Sequence, residues 1–131
     1  MKTDALTPDL GAAEAFLALL DPDAPSRTFQ TYSDQKPNPL PKGWRDPLAR
    51  VLHGTLSGVA ETLTRMNGMR AGIFVTVNRT DGNGRKAENV TGLRALFADE
   101  DAPLQRPVAL EPSLLVQADR GMHYYWKLAP G

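Results

Sequence analysis

The sequence predicts a mixed α/β (α+β) fold in which helices pack on a largely antiparallel sheet. Two segments, "TPDLGAAEAFLALL" and "LSGVAETLTRMNG", repeat apolar residues at helical spacing. Several others are short runs rich in β-branched and aromatic residues, bounded by Gly, Pro, Asn or Asp. The final pair of such runs, in "PSLLVQADRGMHYYWKL", flanks a short polar turn at Asp119, Arg120 and Gly121, which is the spacing of an antiparallel hairpin.

In chain order, Thr7 is placed to cap the first helix, with Pro8 at its first position and Asp9 at the positive end of its dipole. Leu10, Ala13, Leu17 and Leu20 then form one stripe, and "DPDAP" stops the run, so the helix is expected over residues 8–20. "RTFQTY" reads as a strand. "QKPNPLPKGWRDP" concentrates four prolines and a glycine and reads as a loop. "ARVLHGT" is extended. The second helix, over 56–67, carries Leu56, Val59, Ala60, Leu63 and Met66 on one stripe and exits at Asn67-Gly68. "AGIFVTVN", residues 71–78, is a continuous apolar run of the kind found in central strands. "RTDGNGRKAEN" supplies turn residues mixed with cations. Strands are expected again at 94–99, 113–118 and 122–128, in one sheet with 71–78.

The bounds are those of a single domain, residues 1–131, at 14.3 kDa. Hydrophobic residues at 41% and charged ones at 23% exclude a disordered or membrane-spanning chain by composition. Fifteen basic and fifteen acidic residues cancel, so no global positive field draws in nucleic acid, and any such binding needs a local patch. The lack of cysteine excludes disulfides and thiolate zinc sites, while two histidines are too few for most histidine-based metal sites. A hard, oxygen-ligated ion stays open. "MKTDALTPDL" is not patterned as a signal peptide, and no apolar run reaches spanning length, so a cytoplasmic protein without membrane contact is expected.

The chemistry concentrates in "LFADED", an apolar run that ends in Asp99, Glu100 and Asp101. On an extended strand Asp99 and Asp101 share a face and lie roughly 7 Å apart, a spacing that divalent ions can bridge, while Glu100 points away. Mg²⁺ or Mn²⁺ suits such ligands; alone, the same pattern also reads as a strand end entering a solvated turn. His123 shares a strand face with Tyr125, opposite Met122, Tyr124 and Trp126, and follows a turn bearing Arg120. That histidine is placed either to reach a phosphate oxygen or to pack within an aromatic strand. Arg79, Arg85 and Lys86 lie on the glycine-bearing loop "RTDGNGRK", whose spacing is not that of a P-loop; it reads as an anion cradle or as a solvated loop. His53 in "VLHGT" reads as a packing or capping group.

The segments "FLALLDPDAPSRTFQTYSD", "ARVLHGT", "AGIFVTVNRTDGNGRKAENVTGLRALFADED" and "DRGMHYYW" resemble, in order and spacing, the N-terminal half of phage and plasmid replication primases. These belong to the archaeo-eukaryotic primase superfamily, the primase-polymerases, and the resemblance runs from about Ala12 to Leu128. It implies an RRM-like module in which Asp99 and Asp101 bind the divalent metal. It further implies that His123, with Arg120 ahead of it, contacts the triphosphate of an incoming nucleotide, and that the loop of Arg85 and Lys86 matches the family's "TDG-x-GR" signature. The implied activity is metal-assisted nucleotidyl transfer for DNA replication priming, with nucleoside triphosphates and single-stranded DNA template as partners. In the family a further acidic motif follows the histidine strand; the present sequence stops at "KLAPG", so the domain is expected to be truncated before that motif and incomplete as an isolated catalyst. The alternative expectation is an inactive, primase-derived mobile-element protein that binds a replication or host-defence complex, as an anti-CRISPR protein would.

Overall fold

The computed structural model describes residues 8–100, 111–118 and 121–128. Helix α1 (Leu10–Leu20) leads into strands β1 (Arg27–Ser33) and β2 (Arg50–Gly54), followed by helix α2 (Leu56–Gly68) and strands β3 (Ala71–Val75), β4 (Arg79–Thr80), β5 (Val90–Gly92), β6 (Ala95–Glu100), β7 (Leu114–Ala118) and β8 (Gly121–Lys127). Among the described residues the strand pairings are antiparallel, in keeping with the expected α+β fold with a largely antiparallel sheet.

The expected single sheet is instead divided. Strands β2-β1-β3 form one sheet, β6-β8-β7 a second, and β4-β5 a small two-stranded arm. The apolar run from Ala71 therefore lies at an edge of its described sheet, and the centre is taken by β1. The burial of β1 explains this exchange. Phe29 and Thr31 face the helices, while Thr28 and Gln30 are buried on the other face. The β4-β5 arm crosses that second face, where the Thr28 and Thr80 hydroxyls meet at 2.7 Å. His53, opposite Thr28 in register, places Nδ1 2.9 Å from the same hydroxyl, in keeping with a packing role. The run from Ala71 also leaves the ladder earlier than expected, at Val75, although the Thr76 amide still donates to Thr28 O.

Both helices form where the periodicity placed them, with different ends. Asp9 is the N-cap of α1, its carboxylate accepting from the Ala12 amide at 2.9 Å. Its short side chain reaches that orphan amide, which makes Asp9 the cap and not a first-turn residue; Thr7 lies outside the described residues. Leu17 and Leu20 are buried, but Leu10, expected on the same stripe, is 44% exposed. Thr55 caps α2 through the Gly58 amide, and its buried stripe is Leu56, Leu63 and Met66. Helix α2 ends at Gly68, as expected, with Met69 as its C-cap; the left-handed residue that follows is Arg70, with φ of 68°.

Two apolar clusters result. Leu17, Phe29, Leu56 and Leu63 join α1, α2 and the first sheet, whereas Leu20, Ala95 and Tyr125 join α1 to the second sheet. Phe16 packs against both, with its ring edge-on to Tyr125 at 5.3 Å. A polar joint reinforces this apolar one. Asn78 Oδ1 accepts from the Arg94 amide at 2.6 Å and the Ala95 amide at 3.0 Å, fixing the start of β6 to the end of the β3 segment. Among the described residues no helix is long and apolar enough to cross a membrane.

Candidate functional site

From the joint at Asn78 the two sheets bound a cleft of about 440 Å³. One wall carries Tyr32, Phe74 and Thr76 from β1 and the β3 segment, and the other carries Phe97, Asp99, His123 and Tyr125 from β6 and β8. Arg85 and Val90, from the β4-β5 arm, complete the lining. The alternation of the strands produces this face: Phe97 pairs with Tyr125 and Asp99 with His123, so all four side chains share one side of the sheet.

Asp99 and His123 come from two separate motifs, yet they are direct cross-strand partners, with His123 Nε2 3.2 Å from Asp99 Oδ1. Asp99 is the more open of the two, its side chain 61% exposed against 37% for His123. Burial raises the Tyr125 hydroxyl above its ordinary range, and the nearby Asp99 carboxylate adds to that rise. Tyr125 therefore stays protonated beside the dyad.

Arg85 reaches the cleft by a different route. Its Nη1 donates to the Tyr32 hydroxyl at 3.0 Å. The loop that presents it is closed from within: Asp81 accepts from the Asn83 amide at 2.8 Å, and Asn89 Nδ2 donates to the same carboxylate. These bonds, led by that of the Asn83 amide, hold Asp81 below the usual carboxylate range. Gly82, at φ 78°, takes a turn conformation that favours glycine, and a Cβ on Gly84 would lie 2.5 Å from Asn89 Oδ1. Lys86 is exposed and is not among the cleft residues; its amide donates to Asn89 Oδ1. Arg79, the first cation of the loop, is occupied elsewhere. Its guanidinium grips Asp21 through two bonds, Nε to Oδ2 at 2.7 Å and Nη2 to Oδ1 at 2.8 Å.

Asp101 and Arg120, the other expected site residues, lie outside the described residues. Among those described, no three of His, Asp and Glu converge as a ready metal cage. The donor chemistry of Asp99 nevertheless fits a hard divalent ion: an exposed carboxylate on a cleft wall lets the ion keep much of its hydration, as Mg²⁺ in particular does. Sequence reasoning missed the aromatic lining, Tyr32, Phe74 and Phe97, because an apolar residue on a strand reads as core until the opposite wall is known. It also missed Asn78, although a polar amide ending an apolar run was a visible signal.

Comparison of the chain with family models, with curated proteins and with solved structures finds no match.

Proposed function

We propose that the chain is a primase-like domain whose cleft takes a nucleoside triphosphate and a divalent ion for nucleotidyl transfer on single-stranded DNA. The observation that carries this reading is the meeting of Asp99, His123 and Arg85, from three separate sequence motifs, around one cleft. Mg²⁺ or Mn²⁺, held by Asp99 and Asp101, would offset phosphate charge and polarise the α-phosphate. Asp99 accepts from His123 Nε2 and orients the imidazole, which in its doubly protonated form leaves Nδ1–H for a phosphate oxygen. Arg85, steadied by the Tyr32 hydroxyl, presents its remaining N–H groups to the triphosphate. A primer 3′-hydroxyl then attacks the α-phosphorus and gives up its proton to solvent, the bond to the bridging oxygen breaks, and pyrophosphate leaves. The RRM-like module implied by the family resemblance belongs to this same proposal.

The test is synthesis. Purified protein with Mn²⁺, a single-stranded DNA template and nucleoside triphosphates is expected to make short products only weakly, in keeping with the few carboxylate ligands among the described residues, and Asp99→Ala and His123→Ala abolish them. No product with any divalent ion, together with specific capture of a protein partner that survives Asp99→Ala, would replace this reading with that of an inactive primase-derived binding protein.

A further inference from the structure

We infer that the cleft holds an unstacked nucleobase on an aromatic slot, with the ring of Phe97 as its platform and Phe74 facing it from the other sheet. The inference rests on the nucleotide reading above and specifies which part of the ligand these walls take.

Phe74 is 54% exposed and Phe97 59% exposed, and both line the same cleft. Single exposed apolar residues are ordinary, but two phenyl rings on facing walls of one polar-rimmed cleft form a surface suited to an apolar, planar ligand. Each ring has a tyrosine neighbour on its own wall. Tyr32 meets Phe74 edge-on at 5.9 Å, and Tyr125, the cross-strand partner of Phe97, lies 6.5 Å from it at a tilt of 31°. Both phenyl rings stay more than half exposed beside these neighbours. The cleft volume, about 440 Å³, falls among those of small-molecule sites, about 300–1,000 Å³. Charge is distributed to match. Asp99 follows Phe97 by two residues on the same strand face, roughly 7 Å away. A base on the Phe97 ring would therefore direct its sugar and phosphates toward Asp99, His123 and Arg85. Stacking on a phenyl face does not select among bases, which suits a site that must take all of them.

The base has two possible sources, an incoming nucleotide and a template strand, and 2-aminopurine distinguishes them because its fluorescence falls on stacking. Two probes are titrated into the full chain with Mn²⁺: 2-aminopurine riboside triphosphate, and an oligo-dT carrying one 2-aminopurine. Quenching of at least one is expected, identifying the source. Phe97→Ala and Phe97→Leu should both weaken that binding about tenfold and relieve the quench, while Phe97→Tyr retains it. Leucine keeps the apolar bulk and loses the ring, and the exposure of Phe97 makes these variants mild for folding. Unchanged affinity and quench in Phe97→Ala and Phe97→Leu would overturn the inference. Inorganic tripolyphosphate separates this from the underlying reading. If tripolyphosphate binds as tightly as the nucleotide and no quench appears, the slot is refuted and the triphosphate site stands. Ring-dependent quenching of the triphosphate probe that ignores Asp99→Ala and His123→Ala supports the slot and refutes the triphosphate site. Failure of all three probes to bind refutes both.

Discussion

Asp21 organises more of the molecule than any residue of the candidate site. Its side chain is 7% exposed, and it takes both guanidinium bonds of Arg79 with Arg94 Nε 3.9 Å away. Arg27 adds a bond to its carbonyl at 3.0 Å. The Arg79 hydrogen bonds hold its carboxyl below the ordinary carboxylate value, against an opposing effect of burial. Arg79→Ala leaves the Asp21 carboxylate with poorer partners and should lower the thermal midpoint. Because the folded pKa is depressed, the stabilisation from this pair is complete above the unfolded carboxylate value and is lost as pH falls through the lower folded one. Thermal melts should therefore show a wide gap between wild type and Asp21→Asn at pH 7 that closes below about pH 4. The sequence offered "LLDPDAP" only as a helix stop, because a pairing across 58 residues leaves no local trace. Asp99 and His123, by contrast, were legible: each follows a strand pattern that fixes its face, and only their mutual contact needed the structure. Arg70 shows a third case. Its φ of 68° is unfavourable for a side chain with a Cβ, so Arg70→Gly should stabilise by about 1 kcal/mol in denaturant titration.

Elements were legible wherever period and punctuation agreed, as in α2 and the β7-β8 hairpin. Their grouping into sheets was not, because Asn78 turns the chain between sheets with two side-chain bonds that no periodicity encodes. Asn78→Ala would leave the Arg94 and Ala95 amides without that acceptor. A loss of about 2 kcal/mol is expected, with faster hydrogen exchange concentrated at the start of β6. The β4-β5 arm makes an opposite prediction. Gly84→Ala would force Asn89 from Asp81, so amides 81–89 should exchange faster while the global melt changes little. Nucleotide binding should weaken with it, since the arm presents Arg85.

At the scale of the whole molecule, two apolar clusters meet through α1, and Phe16 is the side chain common to both. The cleft exists because the sheets are joined at this helix and at Asn78 while Phe74 and Phe97 stay apart on its walls. The composition foretold a folded chain with zero net charge, and the cleft is consistent with that: its described cation, Arg85, is a local one. The central claim is that this cleft is a metal-dependent triphosphate site, and calorimetric titration of Mn²⁺-ATP tests it most directly. Binding to the wild-type chain should weaken at least tenfold in Asp99→Ala and in His123→Ala, fall away when Mn²⁺ is removed, and remain unchanged in Glu100→Gln. Equal affinity in Asp99→Ala, or binding indifferent to the metal, would contradict the account.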